Sequence, residues 1–273
     1  MFKIPVRRKD LVPMGPTEEN VFMLSQERTY TEFPAPVEGI RCTWQRRSHA
    51  GDRPLIVPDG CVDLIWFSDG RLEVAGPDTA ARRAVTIAPV EMVGVRLAPA
   101  VARRVSAIPI GELCDQQPYV ADLGASLMEV ARSLADHDAN AAMPARRKLL
   151  ADLTVRAMRP AEDGLVLAAV RVLEARPGIK VVDLADGLGI AVRQLHRKFV
   201  DEVGYGPKML ARVLRVGRLV DVAATVPALA SLSYAAGFAS QAHMCDEVRA
   251  LTTLTPVRFL EERRGPSYVG SLV

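Results

Sequence analysis

The sequence predicts an α+β chain of more than one domain: a β-rich, barrel- or sandwich-like N-terminal part followed by an all-α part built on two helix-turn-helix units. Three observations predict it. Twelve of the 19 prolines lie at or before Pro118, a spacing that denies the first half any long helix. Apolar residues recur at helical period from Leu123 onward. The helical half also contains an internal repeat. At roughly 100–200 residues per domain, 273 residues suit two domains. We expect a β domain over 1–120, a helical linker over 121–161, a double helix-turn-helix domain over 162–262 and a tail over 263–273.

In the first half, short β-type runs alternate with turn residues. Arg53–Pro58 is one run, and Cys61–Phe67 is a second, bounded by Asp59-Gly60 and Asp69-Gly70. Arg71–Ala75 follows at once, so 61–67 and 71–75 read as a hairpin. Ala84–Ala88 and Glu91–Leu97 read as two more strands. Asp63 shares a strand face with Cys61 and Ile65, which points it inward. It reads either as a structural hydrogen-bonding carboxylate or as a ligand contact, and Trp66 joins it as a ligand-binding candidate.

After Pro118 the period lengthens. Leu123, Leu127, Val130, Ala131 and Leu134 share one helix face, and Ala145–Met158 forms a second helix ended by Pro160. Leu165, Ala168, Ala169, Val172 and Leu173 form an i, i+3, i+4, i+7, i+8 stripe, stopped by Pro177-Gly178. Pro207, Pro227 and Pro256 stand where new helices begin, since proline is tolerated in the first turn.

The repeat is the most specific feature. Leu184-Ala185-x-x-Leu188-Gly189-Ile190 aligns with Leu232-Ser233-x-x-Ala236-Gly237-Phe238 at an offset of 48. Past the glycine the offset becomes 49, pairing Leu195 with Met244, Phe199 with Val248 and Pro207 with Pro256. Each unit has a short first helix, a glycine able to take the positive φ that ends it, an apolar anchor in the turn, and a second helix pinned at i, i+4. The exposed face of the first unit's second helix is Arg193, Gln194, His196, Arg197 and Lys198. In the second unit Ser240 is a good N-cap, and Gln241, Ala242, Cys245 and Asp246 face out.

Charge concentrates beside the first unit. From Ile190 to Val220 there are seven basic and two acidic residues, a net of +5, in a chain whose total is +3. Arg212, Arg215 and Arg218 recur every third residue along one helix, a stripe that suits DNA phosphates or an ordinary solvated face. From Asp221 to Val273 four basic residues meet five acidic ones, a net of −1.

These residues resemble the AraC/XylS family of bacterial transcription regulators. Leu184-Ala-Asp-Gly-Leu-Gly-Ile-Ala-Val-Arg-Gln-Leu-His-Arg-Lys-Phe199 is similar to that family's first helix-turn-helix. Tyr234-Ala-Ala-Gly-Phe-Ala-Ser-Gln-Ala-His243, closing at Leu254-Thr-Pro256, is similar to the second. The resemblance implies a seven-helix DNA-binding domain whose recognition helices enter successive major-groove segments of duplex DNA. A central helix at about 207–223 would join them, spanning about 25 Å, of the order of one DNA turn, about 34 Å. It implies a cytoplasmic transcription factor with no cofactor, a small-molecule effector or a homodimer contact at its N-terminal domain, and RNA polymerase as partner if it activates. Pro58-Asp-Gly-Cys-Val-Asp-Leu-Ile-Trp66 and Ala75-Gly-Pro-Asp78 resemble an uncharacterised sensor-like domain found ahead of such DNA-binding domains. The chain departs from the family pattern at Ala191, Asp246 and Val248, where a cap, an arginine and an aromatic are usual.

Other classes are disfavoured. Cys42, Cys61, Cys114 and Cys245 are separated by 19, 53 and 131 positions, without Cys-x-x-Cys or zinc-ligand spacing. His49, His137, His196 and His243 form no nucleophile–base signature with Asp59, Asp63 or the thiols, so neither a catalytic nor a metal site is expected. Met1–Asp10 has no apolar stretch behind it and does not read as a signal peptide. Val222–Cys245 lacks charge, but its serines, glutamine and histidine exclude a membrane span. The remaining alternative is a helix-turn-helix fold used as a protein-interaction module, with weak or no specific DNA binding.

Overall fold

The structure, a computed structural model, describes residues 29–120, 123–160, 164–223, 225–226, 229–264 and 268–269. Met1–Asp10, Pro227 and most of the 263–273 tail lie outside the described residues. The N-terminal half contains β1 (Thr29–Pro34), β2 (Ile40–Ser48), β3 (Leu55–Ile56), β4 (Val62–Phe67), β5 (Leu72–Ala75), β6 (Arg82–Arg83) and β7 (Val90–Leu97). A fully antiparallel sheet of order β1-β2-β7-β4-β5 forms its body. The β4–β5 hairpin is the expected one, with Asp63 opposite Ala75 and Gly70 at φ +88° in its turn.

Two differences concern strands. Ala84–Ala88 is irregular, and the short strand lies just before it, at β6. β1 and β2 carry no turn-bounded apolar run, yet β2 pairs with β7 over its whole length. Its side chains alternate between two covered faces, which blurs the apolar–polar alternation that marks a half-exposed strand.

The two faces of the sheet are covered differently. On one, Leu64, Trp66, Val93 and Val95 pack with Leu127, Val130, Leu134 and Leu150. These last come from α1 (Ala125–Ala135) and α2 (Met143–Ala157). Proline in the first turn of α2 is preorganised for helix. The 121–161 stretch, read from sequence as a linker, is thus the helical layer of the β domain. On the other face a cavity of about 750 Å³ separates the sheet from β3, β6 and residues 84–89.

The helical half comprises α3 (Leu165–Ala175), α4 (Val181–Gly187), α5 (Val192–Val203), α6 (Pro207–Val222), α7 (Leu229–Ala235), α8 (Gln241–Thr252) and α9 (Pro256–Arg264). After α9 the chain returns to the β domain, where β8 (Tyr268–Val269) pairs parallel with β3. Leu55, Val57 and Ala100 share a core cluster with the helices, so the two halves pack on each other.

The repeat is reproduced hydrogen bond for hydrogen bond. Gly189 N–H donates to Asp186 O (3.1 Å) and Ile190 N–H to Ala185 O (3.1 Å). In the second unit Gly237 N–H donates to Tyr234 O (3.0 Å) and Phe238 N–H to Ser233 O (2.9 Å). This is a Schellman ending, which requires a left-handed residue; Gly189 has φ +68° and Gly237 φ +88°. Leu195 and Phe199, like Met244 and Val248, are fully buried. Ser233 tolerates burial where the first unit has Ala185 because its hydroxyl donates to Ala230 O (2.7 Å).

Candidate nucleic-acid interface

α5 buries Leu195, Phe199 and Val203 on one side. The opposite side leaves Arg193, Gln194, His196 and Arg197 exposed as a single row, with Lys198 half-buried at its edge. Arg193, Gln194, His196 and Arg197 lie outside the buried face that holds the helix in place, which leaves their polar ends open to solvent. His196 leans on the next turn: a Cβ at Gly206 would lie 2.6 Å from its ring. Ala191 occupies the N-cap with extended backbone (φ −68°, ψ 143°) and no side-chain cap. An exposed Ala191→Ser is therefore expected to stabilise α5 by about 0.5–2 kcal/mol. A raised thermal midpoint checks this, and a lowered one would refute it.

α8 differs in kind. Its Ser240 hydroxyl accepts from His243 N–H at 3.1 Å, so this residue caps the helix. Gln241 and Ala242 are exposed, whereas Cys245 is half-buried against the helical core. Asp246 is exposed, and among the described residues no ion pair joins it to Arg249. The second unit thus presents neutral residues and a carboxylate where the first presents two arginines.

The arginine stripe on α6 is turned inward. Arg212 Nε donates to Glu247 Oε1 (3.2 Å), and Arg215 Nη2 donates to Glu247 Oε2 (2.8 Å). His243 Nε2 lies 3.4 Å from the same carboxylate. Arg215 also donates through Nη1 to Pro177 O at 2.8 Å. Arg212 and Arg215 therefore tie α6 to α8 and to the α3–α4 turn, and Arg218 alone of the three is exposed. Sequence reasoning passed over Glu247. Its only local signal is the i, i+4 spacing from His243, because its arginine partners lie 35 and 32 residues away.

In the β domain the two ligand candidates part. Asp63 lines the cavity, accepting from Trp44 Nε1 (2.9 Å) and Arg96 Nη2 (3.1 Å). Arg96 also meets Glu32 (3.0 Å) and Asp59 (3.5 Å). Burial raises the Asp63 carboxyl above its ordinary range, and Arg96 opposes that rise. Trp66 points to the opposite face, where it is 1% exposed and packs among the helices. The aromatics at the cavity are Trp44 and Phe67. A side chain's parity along β4 fixes this, since 62, 64 and 66 share one face and 61, 63, 65 and 67 the other.

All four cysteines are unpaired with one another, and burial pushes the Cys61 thiol well up and the Cys114 thiol to about 11, away from reactive thiolate. Among the described residues no group of three or more His, Cys, Asp or Glu is placed to hold a metal ion, and no helix is long and apolar enough to cross a membrane.

Residues 37–118 match a family described as a domain of unknown function (DUF6597), and residues 184–262 match a helix-turn-helix domain. No curated protein matches the chain. A solved structure of ToxT from Vibrio cholerae is similar at 8% identity and a TM-score of 0.48, covering 82% of this chain and 98% of that one. ToxT bound to (E)-4-(8-methylnaphthalen-1-yl)but-3-enoic acid is similar at 9% identity and a TM-score of 0.46, covering 81% and 98%. Likenesses this distant carry no argument about target or ligand. The chain therefore carries, over 184–262, a helix-turn-helix domain with two repeated turns, placed behind a β domain that matches the DUF6597 family over 37–118.

Proposed function

We propose that the chain is a sequence-specific DNA-binding transcription regulator in which α5 reads base edges and the cavity of the β domain takes a small-molecule effector. The observation that carries the reading is the row Arg193, Gln194, His196 and Arg197, exposed on a helix whose other side is fully buried. Arginine pairs with guanine through two acceptors, and glutamine pairs with adenine. α6 is 16 residues long, about 24 Å at 1.5 Å per residue. That length is of the order of one DNA turn, about 34 Å, which supports placing α5 and α8 in successive major-groove segments. The cavity supports the effector role by its size and by its mixed lining. Ile56, Ile65, Phe67 and Met92 supply apolar wall, and Asp63 and Arg96 a charged floor, the composition of small-molecule sites.

The second reading, a protein-interaction module, draws on the exposed Asp246 and on the arginines held by Glu247. A binding titration of the full chain separates the two. The duplex should carry the upstream region of the chain's own gene and be titrated at several salt concentrations. The regulator reading expects saturable binding whose affinity falls with salt, by a slope of about 0.9 per phosphate contact. Absence of binding at low salt would favour the interaction module.

A further inference from the structure

The two stretches that resemble a sensor-like domain, Pro58–Trp66 and Ala75–Asp78, meet at one place. Their inner sides line the cavity through Asp59, Cys61 and Asp63, and through Ala75, Gly76 and Asp78. Their outer sides rest on the turn between α5 and α6. Gly60 has φ +80°, and a Cβ there would lie 2.8 Å from Leu210 Cδ1 and 3.4 Å from the Tyr205 hydroxyl. Gly204, the left-handed C-cap of α5 (φ +101°), has Pro77 Cγ 2.5 Å from where its own Cβ would be.

The 3₁₀ turn Ile110–Leu113 closes a third side. A Cβ on Gly111 would lie 2.9 Å from Val200 Cγ1 and 3.0 Å from Val200 O. That turn is laced to the second stretch: Asp115 N–H donates to Pro77 O (3.1 Å) and Gly76 N–H to Gln116 O (3.0 Å). The segments behind the cavity wall therefore pack on the end of α5 and the start of α6 at glycines, where Pro77, Val200 and Leu210 rest directly on backbone. A shift of such a wall cannot be absorbed by rotamer changes and passes to the helix behind it. The same wall reaches the second unit, where Ala81 N–H donates to Leu251 O (2.6 Å) and Arg83 pairs with Glu262 (3.0 Å).

We propose that the two stretches are a glycine-packed joint that transmits the state of the cavity to the first recognition helix through its C-terminal turn. The joint rests on the reading of the cavity as an effector site and specifies how that site governs DNA binding.

The test needs no identified effector. Ala75 lines the cavity from β5, so Ala75→Phe fills part of it. Gly111→Ala wedges the joint without lining the cavity or taking a positive φ. Amide hydrogen exchange over Phe199–Tyr205, and affinity for a mixed-sequence 30-base-pair duplex at low salt, are measured on the full chain. The variants are native, each single change and the double. In the native background Ala75→Phe is expected to change exchange over Phe199–Tyr205 by about fivefold or more, the lower end of ordinary coupling. In the Gly111→Ala background that response should vanish. If Gly111→Ala does not fold, Val200→Ala loosens the same contact from the helix side. An unchanged exchange over Phe199–Tyr205, or an equal response in both backgrounds, overturns the joint. A response lost on wedging, with duplex affinity constant throughout, keeps the joint and removes effector control of DNA binding.

Discussion

Arg193→Ala combined with Arg197→Ala is expected to cost specific DNA binding about 2–6 kcal/mol, roughly thirtyfold or more, while leaving the fold intact. Each arginine that reads a guanine contributes about 1–3 kcal/mol of discrimination. Both side chains stand on the exposed row of α5, and neither forms an ion pair among the described residues. Their removal therefore leaves no buried carboxylate unpaired. The four-residue spacing places them on one helix face, so their losses add only if each contacts its own base pair. The measurement is a titration of each single and double variant against a mapped site, with thermal melts alongside. Affinity unchanged in a chain of native melting temperature would remove α5 from the groove.

Glu247→Gln is expected to have the largest effect on stability, with an opposite effect on non-specific DNA affinity. The Glu247 side chain is 12% exposed and holds Arg215, also 12% exposed, by hydrogen bonds of 2.8 and 3.0 Å. It holds Arg212 at 3.2 Å as well. Neutralising it leaves two guanidinium groups side by side with one charge partner removed. Breaking a buried pair in this way costs about 3 kcal/mol, which lowers the thermal midpoint by about 6–12 °C in a domain pair of this size. Arg212 is 30% exposed, and once released it turns toward solvent. Non-specific duplex affinity should then rise and its salt dependence steepen, by about one contact in slope. If the α6 arginines were instead a phosphate-facing stripe, Glu247→Gln would leave the melt unchanged. That outcome would reject the inward pairing.

The helix-turn-helix units were legible because their signals are short-range. A glycine five residues past a buried leucine, an apolar anchor next to it and an i, i+4 pair after it specify the Schellman turn and the buried face within about 15 residues. The same locality made the β4–β5 hairpin readable from Asp69-Gly70. The exposed row of α5 followed by subtraction, since Leu195 and Phe199 claim the other face.

What escaped the sequence depends on distant partners. β2 and β7 find each other across half the domain, with Thr43 opposite Val95, and no local residue announces that register. Period two along β4 separates Asp63 from Trp66, yet it cannot say which face looks into a cavity and which onto helices, because both faces are covered. The α6 arginines show the same limit for charge. Spacing put Arg212 and Arg215 on one side of a helix, and only the packing of α8 against α6 decided that this side meets Glu247. The sequence by itself determined the helix-turn-helix units, the β4–β5 hairpin and the order of the two domains. Tertiary structure alone decided which charges are consumed within the molecule, because an ion pair forms between groups brought close in space whatever their separation along the chain.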